Sequence, residues 1–73
     1  MTIKTKHSTY SFTNNDGHTY LTENGLNEFL VEKILEIKIG APMIILVRKL
    51  NLFTMKASED VYRIVTSPIL SIT

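Results

Sequence analysis

Cysteine does not occur in this 73-residue sequence, so neither a disulfide framework nor a thiolate zinc site can brace the fold. The three glycines, Gly17, Gly25 and Gly40, stand apart from one another, which leaves no phosphate-cradling loop and no dinucleotide fingerprint to assemble. Long apolar stretches are also missing: the longest uninterrupted run, Met43 to Val47, falls far short of a membrane span. The opening MTIKTKHSTY has basic residues but no apolar segment of the secretory kind, so the expected location is the cytoplasm, with no membrane partner. Charge of one sign is equally scarce. A formal net charge of +1 is too small to attract nucleic acid through the overall field, and local clusters must decide that question.

What is present describes a small folded chain. Residues 1–73 make one domain, and a chain of this size buries only about 60% of the surface its unfolded form exposes. Hydrophobic residues at 44% against 21% charged residues are globular proportions. The core is thin and unbraced, and self-association is the remaining common support. A homodimer is expected, because the apolar segments Met43 to Val47 and Ile69 to Ile72 are hard to cover within one chain.

Ile3 to Thr13 is rich in Thr, Ser, Tyr and Phe and reads as a strand with Tyr10 and Phe12 on one apolar side. Asn15, Asp16 and Gly17 form a three-residue hairpin loop in this reading, with Asn14 opposite His18 and Phe12 opposite Tyr20. A calcium loop at the same place lacks a downstream acidic ligand. Leu26, Phe29, Leu30 and Ile34 then recur at helical spacing, with Asn24 as N-cap, and the helix gives way near Lys33 to the strand-like alternation of Leu35, Ile37 and Ile39. Gly40-Ala41-Pro42 breaks the chain before the apolar strand Met43 to Arg48, which the composition allows to be buried on both faces. Leu50, Leu52 and Thr54 alternate as a further extended segment, Lys56 to Asp60 reads as a loop, and Val61 to Thr66 as another strand. Pro68 confines the final segment to an edge or a bulge. The expected fold is α+β: a small antiparallel sheet or partly closed β-barrel of five to six short strands with one short helix.

Few residues suggest chemistry. His7 and His18 have only Asp16 as a nearby further ligand, no serine sits in a nucleophile elbow, and no cofactor motif exists, so neither a metal site, a cofactor nor catalysis is expected. Two charge patterns remain. Glu28, Glu32 and Glu36 would form an acidic ridge on a helix, despite the mild cost of like charges at that spacing, and the alternative is a solvated face relieved by Lys33. Lys4, Lys6, Arg48 and Arg63, with Tyr10 and joined by Lys49, Lys56, Tyr20 and Tyr62, could form a platform for phosphates and stacked bases. Lysines on strands also serve to guard sheet edges, and tyrosines there commonly cover a core.

The ending Thr66-Ser67-Pro68-Ile69-Leu70-Ser71-Ile72 resembles a strand motif of small uncharacterised proteins of phages and prophages in Gram-positive bacteria. The opening Ile3 to Phe12 resembles the strand that follows that motif in those proteins, although here the two pieces, about a quarter of the chain, sit at opposite ends. The resemblance implies a β-rich accessory protein that binds and inhibits a host or defence protein. It also implies that Ile3 to Tyr10 lies antiparallel beside Thr66 to Ile72. The functional expectation is therefore a non-catalytic binding module with Glu28, Glu32 and Glu36 as its partner-binding residues. The alternative is a small barrel that binds single-stranded nucleic acid or a nucleotide through Lys4, Lys6, Tyr10, Arg48 and Arg63.

Overall fold

The computed structural model describes residues 1–51 and 53–73, and every regular element among them is a β-strand. The strands are β1 (Thr2–Thr5), β2 (Thr9–Asn15), β3 (His18–Glu23), β4 (Asn27–Glu36), β5 (Pro42–Asn51), β6 (Lys56–Ala57) and β7 (Tyr62–Ile72). Each of β1 to β5 pairs antiparallel with the next, β7 pairs with β5, and β7 pairs with β1, so six strands close into a barrel and β6 stands outside it on the end of β5. Closure removes the free edges that an open sheet of this size would expose. The α+β expectation is thus corrected to all-β: the barrel is present and the short helix is not.

The segment read as a helix is β4, and two bulges explain the misreading. Val31 pairs with Val47 but Lys33 with Leu46, and Ile34 pairs with Ile45 but Glu36 with Ile44, so Glu32 and Leu35 are extra residues on β4. A bulge adds one residue without changing which face the flanking pairs share. The residues of β4 on the side paired with the inward residues of β5, Phe29, Val31 and Ile34, therefore step by two and then three; Phe29, Val31 and Ile37 pack on the core, while Ile34, opposite Ile45, stays 44% exposed. That spacing imitates a helical repeat. Leu26, which began the apparent helical stripe, is 81% exposed in the β3–β4 turn. Asn24 is no N-cap: it adopts φ +51° in that turn, and its Oδ1 accepts a 2.8 Å hydrogen bond from the Thr9 amide.

The strand read through Ile3 to Thr13 is two strands. A turn over Lys6, His7 and Ser8 divides it, held by the Thr5 amide donating to Ser8 O at 2.9 Å and the Ser8 amide donating to Thr5 Oγ1 at 3.1 Å. In the next hairpin Asn15 pairs with His18, Thr13 with Tyr20 and Phe12 with Leu21, so the loop is the two-residue Asp16-Gly17 and the expected register is off by one. Asp16 at φ +51° and Gly17 at φ +77° give the doubly left-handed turn that matches strand twist. A slip of one residue reverses faces. Phe12 consequently meets buried Leu21, and Tyr20 goes to the outer surface beside Thr13 and Leu30.

Met43, Ile45 and Val47 of β5 are fully buried, with Ile3, Leu21 and Ile69 completing the most enclosed part of the core. Of these, Met43, Ile45, Val47 and Ile69 belong to the segments expected to need a dimer for cover, and the barrel covers them within one chain, while Leu70 stays 64% exposed. Ile44 and Leu46, between them on β5, are only half-buried, so the strand is covered on one face and not on both. Lys56 and Ala57, expected in a loop, form β6 against Asn51 and Leu50; of the extended segment read around them, Leu52 lies outside the described residues and Thr54 is in a turn.

β7 is a single strand of 11 residues where two segments were expected. It changes partner around Pro68: Tyr62 to Val65 pair with β5, and Ile69 to Ile72 with β1. The register breaks between the Val65 and Pro68 pairings, where Thr66 Oγ1 accepts the Met43 amide at 3.0 Å in place of a ladder carbonyl. A proline is tolerated at such a break because no ladder donor is required of it. Beyond it Ile3 pairs with Ile72, Lys4 with Ser71 and Thr5 with Ile69, which is the antiparallel meeting of the chain ends expected from the sequence.

Candidate functional site

β5 continues past its last pairing with β4, at Lys49, and with β6 makes a short arm at one end of the barrel. Asn51 organises the tip. Its Oδ1 accepts from the amides of Phe53 at 2.9 Å and Thr54 at 3.3 Å, and its carbonyl accepts from the Met55 amide at 2.7 Å. Met55 takes φ +56° to complete the turn. Arg48 fastens the base: its Nη1 donates to Ser58 O at 3.1 Å and Glu59 O at 2.6 Å, while its Nε is bonded to the Glu32 carboxylate. A tied loop thus presents Phe53 fully exposed, with Met55 64% exposed beside it.

Two concavities flank the arm. A cleft of about 140 Å³ lies between Leu50 and Met55 of the arm and Thr13, Asn15, Tyr20 and Glu28 on the outer barrel surface. A groove of about 330 Å³ runs past Leu26, Asn27, Phe29 and Lys49 and shares Glu28 and Leu50 with the cleft. The cleft is below the ~300–1,000 Å³ typical of small-molecule sites. The groove reaches the lower end of that range, and both concavities are open to solvent. Among the described residues no group of three or more His, Cys, Asp and Glu side chains is placed to hold a metal ion. His7 and His18 flank opposite ends of β2, and His18 instead lies edge-on to Tyr20 with ring centroids 6.4 Å apart.

The acidic residues share the outer side of β4 but do not merge. Glu28 faces the cleft, Glu32 is ion-paired with Arg48, and Glu36 lies opposite Ile44. Spaced four residues apart on an extended strand, they are separated by about 13 Å per step, beyond the ~8 Å screening length at physiological salt. A helix would have brought them to roughly 6 Å. The cationic platform is similarly dispersed. Lys4 lies between Thr9 and Ser71, Lys6 is in the β1–β2 turn, and Arg63 stands opposite Leu46, roughly 25 Å along β7 from the Lys4 position. Arg48 is committed to Glu32 and the arm, and Tyr10, 5% exposed, points into the core and cannot stack on a base.

Burial raises the Tyr10 pKa above the usual tyrosine range; the neighbouring Glu23 charge adds to the rise and a hydrogen bond with Ser8 opposes it. The native state therefore keeps its phenolic proton at pH values where the unfolded chain, at about 10, releases it. Stability from this residue is complete below pH ~10 and declines as pH rises toward the folded value. Urea midpoints measured from pH 8 to 11 are expected to fall more steeply for the wild type than for Tyr10→Phe. Parallel curves would show that the phenol is not the source.

Sequence reasoning missed Phe53, Met55 and Leu26. The signal available for Phe53 was an aromatic two residues after Asn51, a pattern compatible with an Asx turn, and the apolar neighbours Leu50, Leu52 and Met55 masked it as part of an extended segment. Leu26 was absorbed into the apparent helical stripe. No protein-family model, curated protein or solved structure matches the chain.

Proposed function

We propose that the protein is a non-catalytic protein-binding module that docks through its β5–β6 arm, with Phe53 as the anchor. The carrying observation is a fully exposed phenylalanine on a turn held by three hydrogen bonds to Asn51. An aromatic side chain presented on a pre-ordered loop has little conformational entropy left to lose when it enters an apolar socket. Leu26 and Met55 widen the apolar contact, and Glu28 with Lys49 supplies polar groups at its border. The narrower reading, an accessory protein of a phage or other mobile element that inhibits a host or defence protein in the cytoplasm, rests on the resemblance of the two chain ends. Binding of single-stranded nucleic acid or a nucleotide has less support, because its cations are spread over separate strands and Tyr10 is interior.

Affinity capture from lysate of a Gram-positive host, with wild type, Phe53→Ala and the Glu28→Lys/Glu32→Lys/Glu36→Lys variant, tests the reading. A specific partner is expected to lose about 30-fold or more in affinity with Phe53→Ala, as an interface hot spot does, while the melting temperature is unchanged. The triple variant is expected to weaken capture through Glu28 at the border of the contact and through Glu32, whose loss frees Arg48 at the base of the arm. Inhibition is read by assaying the captured protein with and without the module. If wild type and Phe53→Ala retain the same proteins equally, the arm is not the docking element.

A further inference from the structure

The outer face of β4, β5 and β7 carries two cross-strand rows. One is Glu36–Ile44–Val65 and the next is Lys33–Leu46–Arg63, each aligned by direct pairing through β5. Ile44 and Leu46 are half-buried and Val65 is 56% exposed, so an apolar centre is open to solvent. Lys33, Glu36 and Arg63 around it are exposed, and none of them makes an ion pair among the described residues, where Arg48 with Glu32 is the sole one. We infer that this face binds the same face of a second copy, forming a two-fold dimer in which Glu36 of each chain meets Lys33 of the other.

The charge layout selects that occupant. Two sheets packed face to face are related by an axis lying in the interface. An axis running across the strands, between the two rows, places one row of each copy over the other row of its mate. Ile44 then lies over Leu46, Val65 over the aliphatic stem of Arg63, and Glu36 over Lys33, twice by symmetry. An axis along β5 instead sets Lys33 against Arg63 and is disfavoured by like charge. The closed barrel offers no free edge for strand addition among β1 to β5 and β7, so a face is the available route to self-pairing. The surface is distinct from the arm, and the dimer presents two arms.

Sedimentation velocity over a range from one to hundreds of micromolar, about, tests the assignment on the intact chain, with circular dichroism as the check on folding. Wild type is expected to approach twice 8.3 kDa. Val65→Lys, at a solvent-facing position, is expected to leave the 8.3 kDa species folded but monomeric. Glu36→Lys and Lys33→Glu are each expected to weaken the dimer about tenfold or more, and the combined swap to restore it to within about threefold. A wild type that stays at 8.3 kDa throughout overturns the inference. So does a dimer that survives Val65→Lys, or a double swap as weak as the single variants.

Discussion

Oxidation of a Lys4→Cys/Ser71→Cys variant is expected to give an internally cross-linked single chain and to raise its unfolding free energy by about 2–4 kcal/mol over the reduced form. Lys4 and Ser71 are direct partners across β1 and β7. Thr2 and Thr73, two residues toward the termini, exchange both backbone hydrogen bonds at 2.8 and 2.9 Å, so Lys4 and Ser71 occupy the next hydrogen-bonded position. Their Cα atoms are then about 5.5 Å apart, within disulfide range. Both side chains are on the outer surface, so the core keeps its volume. The bond closes a loop of nearly the whole chain, the case in which constraint of the unfolded state is largest. The melting temperature is expected to rise by roughly 10–25 °C. Non-reducing electrophoresis also decides the topology: a fast-running 8.3 kDa band marks closure within the chain, and a covalent dimer would mean that the end strands are exchanged between subunits.

Replacing Ile45 by alanine should cost about 2–5 kcal/mol, while the same change at Ile44 should cost about 1 kcal/mol in dilute solution. The two residues are adjacent and identical, so strand propensity is the same for both. Ile45 is fully buried, opposite Ile34 on β4 and Ile64 on β7, and truncation there leaves a void that the closed barrel cannot collapse around. Ile44 lies on the outer face opposite Glu36 and Val65 and leaves no void. A domain this small holds only about 5 kcal/mol in total, so Ile45→Ala is expected to be largely unfolded at room temperature and Ile44→Ala folded. Equal losses, measured by urea denaturation at low protein concentration, would mean that β5 is not placed with Ile45 inward.

Much of the barrel was legible because a strand's period survives in isolation. Tyr10 and Phe12 read as one apolar side and are buried together. The Gly40-Ala41-Pro42 break and the apolar strand after it came from local signals, whereas the meeting of the chain ends came from the resemblance of the two end segments and has no local signal of its own. β4 was illegible for a definite reason: bulges at Glu32 and Leu35 depend on β5 lying alongside, and without β5 the inward residues have no strand period. The same holds for Asn24 and Asp16, whose left-handed backbone fits a turn in one context and a cap or loop residue in another. At the candidate site, charge was readable but its pairing was not. Arg48 and Glu32 belonged to rival surfaces in the sequence and neutralise one another in the fold.

The sequence by itself determined a chain rich in strands, without a cysteine brace, with Met43 to Val47 as its most apolar strand. These are properties of composition and of neighbours two to four residues apart. Only the tertiary structure decided that the sheet closes, that β4 is bulged rather than helical, that Tyr10 is interior, and that Phe53 stands fully exposed on a tied arm. Each of those depends on contacts between residues far apart in the chain, where pairing register sets which face every side chain takes. A one-residue change of register, as at Tyr20, moves a side chain from core to surface without altering a single local preference.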